Sequence, residues 1–344
     1  MSDSTKAMAS AGIGEATLRH KPVLVVAGPT ASGKSALSLR LARAFDGVVI
    51  NADSMQVYRD LPILTAQPRD ADLAAAPHRL YGVLALDDAC SAERWSGLAR
   101  RAIDAAHAEG RLPILCGGTG LYLRALMHGL SPMPEVPVEV RTAARDLLDR
   151  IGSAALRQRL AAGDPSSAQR LHANDRQRIV RAWEVLQATG RPLSEWQALI
   201  PAAPADLGFL SFILLPERSE LYGACDRRFQ AMLARGALGE VRDALALHPG
   251  LYRPDCAPPE GGARALGFWA LARHLWEGSE VTEHTLAAVQ QQTRNYAKRQ
   301  VTWFRNQMSS ENFITPYLPD MQFSESSYAE ISQKIRHFLL TMKG

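Results

Sequence analysis

The sequence predicts an α/β protein, a doubly wound parallel sheet core with an inserted all-helical domain, and three observations carry that prediction. Unbroken apolar runs at residues 22–27, 47–50, 112–116 and 209–215 suit strands buried on both faces. The first and third runs open into glycine-rich turns followed by helical stretches, the alternation that builds right-handed βαβ units. Three prolines in the seven residues from Ser131 to Pro137 then stop the rhythm, and the chain from there to about Leu199 reads as helix only.

Taken in order, residues 1–20 are rich in Ser, Ala, Thr and Gly and are expected to be a disordered tail. The first strand, PVLVVA from Pro22 to Ala27, runs into GPTASGKS and then into the amphipathic SALSLRLARAF. Residues Gly28 to Ser35 fit the P-loop spacing of Gly, four residues, Gly, Lys and Ser/Thr, and they lie between a strand and a helix as that motif requires. The second strand leads into Asn51-Ala52-Asp53, and the third into Gly117-Gly118-Thr119-Gly120. The P-loop core therefore occupies residues 21–132 in its first part. The helical insertion takes residues 133–200, ending at Pro201-Ala202-Ala203-Pro204. The core resumes over 201–315, with a strand at Phe209 to Leu215 and helices at about 217–247 and 282–307. Residues 316–344 are expected to be a C-terminal tail or helix, and the Pro/Gly-rich stretch from Pro249 to Gly262 a mobile loop. No internal repeat is present.

Bulk numbers exclude several classes. Of 344 residues, 47% are hydrophobic and 22% charged, so the chain buries a core and lacks the composition of a disordered protein. A formal net charge of +4 is compatible with a polyanionic partner without demanding one. The four cysteines, Cys90, Cys116, Cys225 and Cys256, form no CxxC pair and no Cys/His zinc spacing, which favours reduced thiols. No run reaches the ~20 apolar residues that span a bilayer, and residues 1–20 lack the compact apolar core expected of a secretory signal. A cytoplasmic location with no membrane partner is the expectation.

The chemistry concentrates at the mouth of the sheet. In a P-loop the glycines let successive N–H groups and a helix N-terminus converge on phosphate, while Lys34 adds a point charge and the Ser35 hydroxyl is placed to ligate Mg²⁺. The motif establishes that an oligophosphate is held, not that one is hydrolysed. The third strand ends in Cys116-Gly117-Gly118-Thr119, with no Asp for the carboxylate expected of an NTPase. Asp53 stands just past the second strand, on the edge that faces the P-loop, where an ionised carboxylate can accept a proton. A helix N-cap ahead of Ser54 is the structural alternative for Asp53. Thr119 is read both as an N-cap and as a hydroxyl aimed into the mouth.

In order along the chain stand GPTASGKS, NADSMQVY, TAQP, APHRLYG, LCGGTGLYLRAL, HANDRQRIVRAWEV and KRQVTWFR. Together they resemble the tRNA dimethylallyltransferase family, also called tRNA isopentenyltransferases, from about Pro22 to Arg305. The resemblance implies transfer of a dimethylallyl group from dimethylallyl diphosphate to N6 of the adenosine that follows the anticodon, with Mg²⁺ as cofactor. It implies that Gly28, Pro29, Thr30, Ala31, Ser32, Gly33, Lys34 and Ser35 hold the diphosphate together with Arg228. Asp53 becomes the general base, with Lys34 and Thr119 in the catalytic group. Contacts to the anticodon stem-loop of tRNA would come from Asp53, Ser54, Met55, Gln56 and Thr119, from Arg141, from Gln177, Arg178, Ile179, Val180 and Arg181, and from Arg264. The chain departs from the family where Ala224 replaces an Arg and where Phe268-Trp269 replaces Tyr-Arg. The absence of a C-terminal zinc finger points to the bacterial type.

Within HANDRQRIVRAWEVL, Ile179, Trp183 and Leu186 share one helical face, and Gln177, Arg178 and Arg181 the other. In TRNYAKRQVTWFR, Arg294, Lys298 and Arg305 line one face as a candidate phosphate track, while Tyr296 and Trp303 read as packing. Two alternatives remain open from sequence: a small-molecule kinase of the same fold, and a non-catalytic RNA-binding module. A third, prenyl transfer to free adenine nucleotides, shares the first half of the chain. No heptad pattern suggests an oligomer, so a monomer is expected.

Overall fold

The structure, a computed structural model, describes residues 20–199, 204–254, 256, 259, 261–308, 312–314 and 325–342. The expected N-terminal tail, but for His20, and residues 316–324 of the C-terminal segment lie outside these.

Six parallel strands form the sheet: β1 (Lys21–Ala27), β2 (Gly47–Asn51), β3 (His78–Arg79), β4 (Leu112–Gly117), β5 (Leu207–Leu214) and β6 (Asn312–Ile314). Their order is β3-β2-β4-β1-β5-β6, which puts β1 inside, with Leu24 opposite both Ile114 and Leu210. Val23 to Ala27 are all fully buried, the reason this strand is apolar without alternation. The chain leaves β1 for β2, skipping one position, and β4 later fills the gap. This crossover brings the carboxyl ends of β1, β2 and β4 to one mouth, the place where open α/β sheets bind ligands.

Helices cover both faces. One face packs α1 (Lys34–Ala44) through Leu37 and Leu41, and the C-terminal α13 (Glu325–Thr341) through Ile331 and Ile335. The other packs α3 (Ala92–Ala108) through Trp95 and Ile103, and α4 (Gly120–His128) through Tyr122 and Leu123. Behind them lie α9 (Arg218–Ala234), α10 (Ala237–Leu247), α11 (Phe268–Glu277) and the 25-residue α12 (Glu283–Gln307). A short α2 (Asp70–Ala75) precedes β3.

Between β4 and β5, α5 (Val138–Leu160), α6 (Pro165–Arg170), α7 (Arg176–Thr189) and α8 (Leu193–Gln197) have a hydrophobic core of their own, including Leu148, Leu156, Ile179, Val185 and Leu193. Gly152, at φ 77°, kinks α5. Asp164 is fully buried and ties two helix starts together, accepting from Ser167 N (3.0 Å), Ser194 Oγ (2.7 Å) and Ser194 N (3.2 Å).

β3 and β6, short edge strands without a strong apolar run, were not anticipated; β5 begins two residues earlier than expected, and the helical stretch expected over 217–247 is two helices parted at Gly236, whose φ is 100°. Within the stretch read as a mobile loop, Tyr252 is buried against Trp269 with ring centroids 4.7 Å apart, and Gly262 N donates to Leu86 O. Residues 255, 257, 258 and 260 of that stretch lie outside the described residues.

Candidate active site

Strand β1 ends at Ala27, and the next eight residues wrap into the phosphate loop. Gly28 has no room for a side chain: a Cβ there would lie 2.6 Å from Leu214 O. Gly33 takes φ 84° at the entry to α1, so the helix starts abruptly and its first N–H groups face the loop. Lys34 is buried and donates from Nζ to Pro29 O at 3.1 Å. The Ser32 hydroxyl is buried with no hydrogen-bond partner among the described residues. An enclosed hydroxyl of this kind is costly unless a ligand completes it.

Asp53 is placed by Asn51. Asp53 N donates to Asn51 Oδ1 (2.8 Å), while Asn51 Nδ2 donates to Asp53 O (3.0 Å) and to Leu80 O (3.1 Å). No helix follows Asp53, which excludes the N-cap alternative; its Oδ1 accepts from Met55 N at 3.0 Å in a local turn. Thr119 does sit at the N-cap of α4 but makes no side-chain cap bond. Its hydroxyl accepts from Ser54 N (2.9 Å) and donates to Ser54 Oγ (3.2 Å). Thr119 thus joins the end of β4 to the Asp53 loop.

These groups open on a cavity of about 1010 Å³ lined by the loop residues Thr30 to Ser35, by Asp53 and Gln56, and by Tyr81, Arg227 and Arg228. Burial pulls the Lys34 ammonium below its ordinary value, against the carboxylate of Asp53, which favours the charged form. Burial likewise lowers Arg228, again opposed by Asp53, and its Nη2 reaches Thr65 O at 3.4 Å. Two cations held partly out of water around one carboxylate leave a net positive hole suited to an anion. β4 ends without a carboxylate, and no group of three or more acidic, His or Cys side chains among the described residues could hold a metal ion unaided.

The remaining expected residues are dispersed. Ser54 and Met55 stand beside Asp53, and Gln56 Nε2 donates to Thr65 O and Ala66 O. Arg141 lies on α5 with its Nε buried and unbonded among the described residues. Gln177 and Arg178 are exposed at the start of α7; Arg178 pairs with Asp175 and Arg181 with Glu184. Ile179 and Val180 are 0% and 8% exposed, so as side chains they hold the helical core and offer nothing to a ligand, a correction that follows from the apolar face of α7. Arg264 lines a separate cavity of about 470 Å³ with Trp269, Arg273, His274 and His284. Arg294 is no phosphate track: it bonds both carboxylate oxygens of Asp226 and fastens α12 to α9.

Sequence reasoning missed Gln300 and Tyr81. The Tyr296 phenol is half-buried, and its pKa is pushed up by burial and by the Asp53 carboxylate. Gln300 occupies the buried stripe Val289, Thr293, Ala297, Gln300, Phe304, where a lone carboxamide is itself a signal. Trp303 does pack, its ring filling the space a Cβ on Gly120 would need.

Known proteins of one family are similar to this chain over most of its length. The sequence model of the IPP transferase family matches residues 56–307. A tRNA dimethylallyltransferase of Paramagnetospirillum magneticum is 51% identical over 325 residues, covering 94% of this chain and 99% of that one. One from Rhodospirillum centenum is 51% identical over 299 residues, covering 86% and 92%. Among solved structures, a eukaryotic dimethylallyltransferase acting on tRNA superposes with a TM-score of 0.74 at 27% identity, over 92% of this chain and 80% of that one. The full-length tRNA isopentenylpyrophosphate transferase of Bacillus halodurans gives 0.62 at 28% identity, over 94% and 96%.

Proposed function

The chain belongs to the IPP transferase family, whose curated relatives are tRNA dimethylallyltransferases, and from that membership we propose the reaction in full. It is a prenyl-transferring enzyme of tRNA modification. The donor is dimethylallyl diphosphate, and the acceptor is N6 of the adenosine on the 3′ side of the anticodon, presented by the anticodon stem-loop. The observation that carries the reading is one carboxylate, Asp53, facing Lys34 and Arg228 across the mouth of a P-loop that lacks an NTPase carboxylate.

The parts divide the work. The exocyclic amine of adenine is a weak nucleophile, so the allylic carbon must be made electrophilic. Lys34, Arg228 and the loop amides stabilise charge as it gathers on the departing diphosphate. N6 attacks C1 of the donor, the C1–O bond breaks with its electron pair leaving on diphosphate, and the N6 proton passes to Asp53. A base stacked in the anticodon loop cannot reach this cavity, so the target is extruded at a cost of a few kcal/mol. Thr119, bonded to Ser54, ties the loop that carries Asp53 to the end of β4.

Mg²⁺ fits the donor set. Ser35 is exposed at the cavity and offers a hard oxygen donor, and the diphosphate and water supply the rest, the way Mg²⁺ is usually held. Bound there, it would neutralise charge on the leaving group. No helix among the described residues is long and apolar enough to cross a membrane. The working unit we propose is a cytoplasmic monomer, in keeping with a sequence that has no heptads.

The test is incubation of the purified protein with Mg²⁺, dimethylallyl diphosphate and an unmodified tRNA carrying adenosine 3′ to its anticodon, followed by nucleoside mass analysis. The expected outcome is one added C5H8 unit on that adenosine alone. Transfer to free adenine nucleotides, or phosphorylation of a metabolite by ATP, would overturn it.

A further inference from the structure

Gln300 lies on α12, 270 residues along the chain from the phosphate loop, yet its carboxamide is built into that loop. Its Oε1 accepts from Thr30 N at 2.8 Å, and its Nε2 donates to Gly118 O at 2.9 Å. The side chain is 5% exposed. An N–H on one side and a carbonyl on the other fix the orientation of the amide without ambiguity. Gly118 is required for the approach, since a Cβ there would lie 2.3 Å from Gln300 Nε2.

The next residue in the loop explains why such a clamp is present. Ala31 has φ 63°, left-handed backbone that costs a residue with a Cβ about 1–2 kcal/mol. Strain of this kind persists only where the surroundings over-determine it. Ala31 is wedged among Leu221 and Cys225 of α9 and Ala297 of α12, and the peptide N–H just before it is held by Gln300. The turn at Ala31 swings Ser32, Gly33 and Lys34 toward the cavity. Thr30 N is spent on Gln300, so the cradle for phosphate begins after it.

We propose that Gln300 is a positioning residue for the donor: it holds the phosphate loop in its left-handed turn and fixes the spacing between that loop and the Gly118-Thr119 end of β4. It touches no substrate. The inference rests on the donor-site reading of the loop, and it adds that α12, through Gln300 bridging Thr30 N and Gly118 O, sets the registry of the two halves of the site.

The test uses Gln300→Met, which keeps the length and removes both hydrogen bonds, and Gln300→Asn, which keeps the amide but shortens it. Mg²⁺-pyrophosphate affinity is measured by calorimetry, with KM for dimethylallyl diphosphate, KM for tRNA, kcat at saturating donor, and Tm alongside. In Gln300→Met, pyrophosphate affinity falls about tenfold and donor KM rises about tenfold, equivalent to about 1.4 kcal/mol. The KM for tRNA stays within about twofold and kcat within about threefold. Gln300→Asn lies between, and serves alone if the Met variant does not fold. A lowered Tm with unchanged pyrophosphate affinity overturns the proposal, as does a donor KM that rises only in step with that for tRNA. Failure of both variants to fold would make Gln300 a stability residue and nothing more. If the wild-type chain binds Mg²⁺-pyrophosphate but prenylates no RNA, the functional reading fails while the calorimetric comparison still decides the role of Gln300.

Discussion

At the scale of the residue, proton transfer in the proposed reaction falls to Asp53 and donor binding to Arg228. Asp53 is oriented by Asn51 and Met55 N, so Asp53→Asn keeps the shape of the turn and removes only the base. Its expected effect is a loss of 10²–10⁴-fold in single-turnover transfer, with pyrophosphate and tRNA affinities within about threefold of wild type. Retained turnover in that variant would move the proton elsewhere. Arg228 has a different signature. Its guanidinium is held beside Asp53 with one long contact to Thr65 O, so its charge awaits an anion. Arg228→Met should raise donor KM by about tenfold or more and weaken pyrophosphate to match, leaving KM for tRNA alone; equal changes in both KM values would contradict a donor role. Both residues stand in motifs visible in the sequence. Gln300 does not announce itself, because its partners lie on loops more than 170 residues away.

At the scale of the element, the helical unit hangs on Asp164. Burial alone would raise the pKa of this carboxyl, but hydrogen bonds from Ser167 and Ser194 outweigh it and hold the group below its ordinary value. A depressed carboxylate contributes stability that is present above its unfolded pKa and lost as pH falls through the folded one. The helical unit should therefore weaken below about pH 4, with Asp164→Asn flattening that acid limb. Asp164→Ala, which strands Ser167 N and Ser194 N, should cost on the order of 3 kcal/mol. Limited proteolysis would show cleavage within residues 138–197, KM for tRNA would rise, and pyrophosphate affinity would hold. A second element-scale case is the close packing of α12 on α4. Gly120→Ala would press a Cβ to 2.1 Å from the Trp303 ring, an overpacking expected to cost about 1–3 kcal/mol and lower Tm.

At the scale of the whole molecule, acceptor and donor should be distinguishable by their electrostatics. A tRNA surface built from Arg178, Lys298 and Arg305 predicts affinity that falls steeply and linearly in log salt, whereas pyrophosphate enclosed by Lys34 and Arg228 should depend on salt far less. A flat salt response for tRNA would count against that surface. What the sequence determined by itself was everything set by local pattern: buried strands written as apolar runs, the P-loop written as a spacing, the helical insertion bounded by prolines, and Asp53 standing at a strand end. These are short-range signals, in which neighbours along the chain are neighbours in space. The edge strands β3 and β6 were illegible because two or three residues carry no period. Ile179 and Val180 were misplaced because a motif names a segment, while burial chooses one face of its helix. Only the tertiary structure decided that Thr119 bonds Ser54 instead of capping α4, that Arg294 pairs with Asp226, and that Gln300 closes the phosphate loop. Each of those rests on a polar group finding a partner far from it along the chain. A hydrogen bond is decided by a few tenths of an ångström in three dimensions, on which the order of residues is silent.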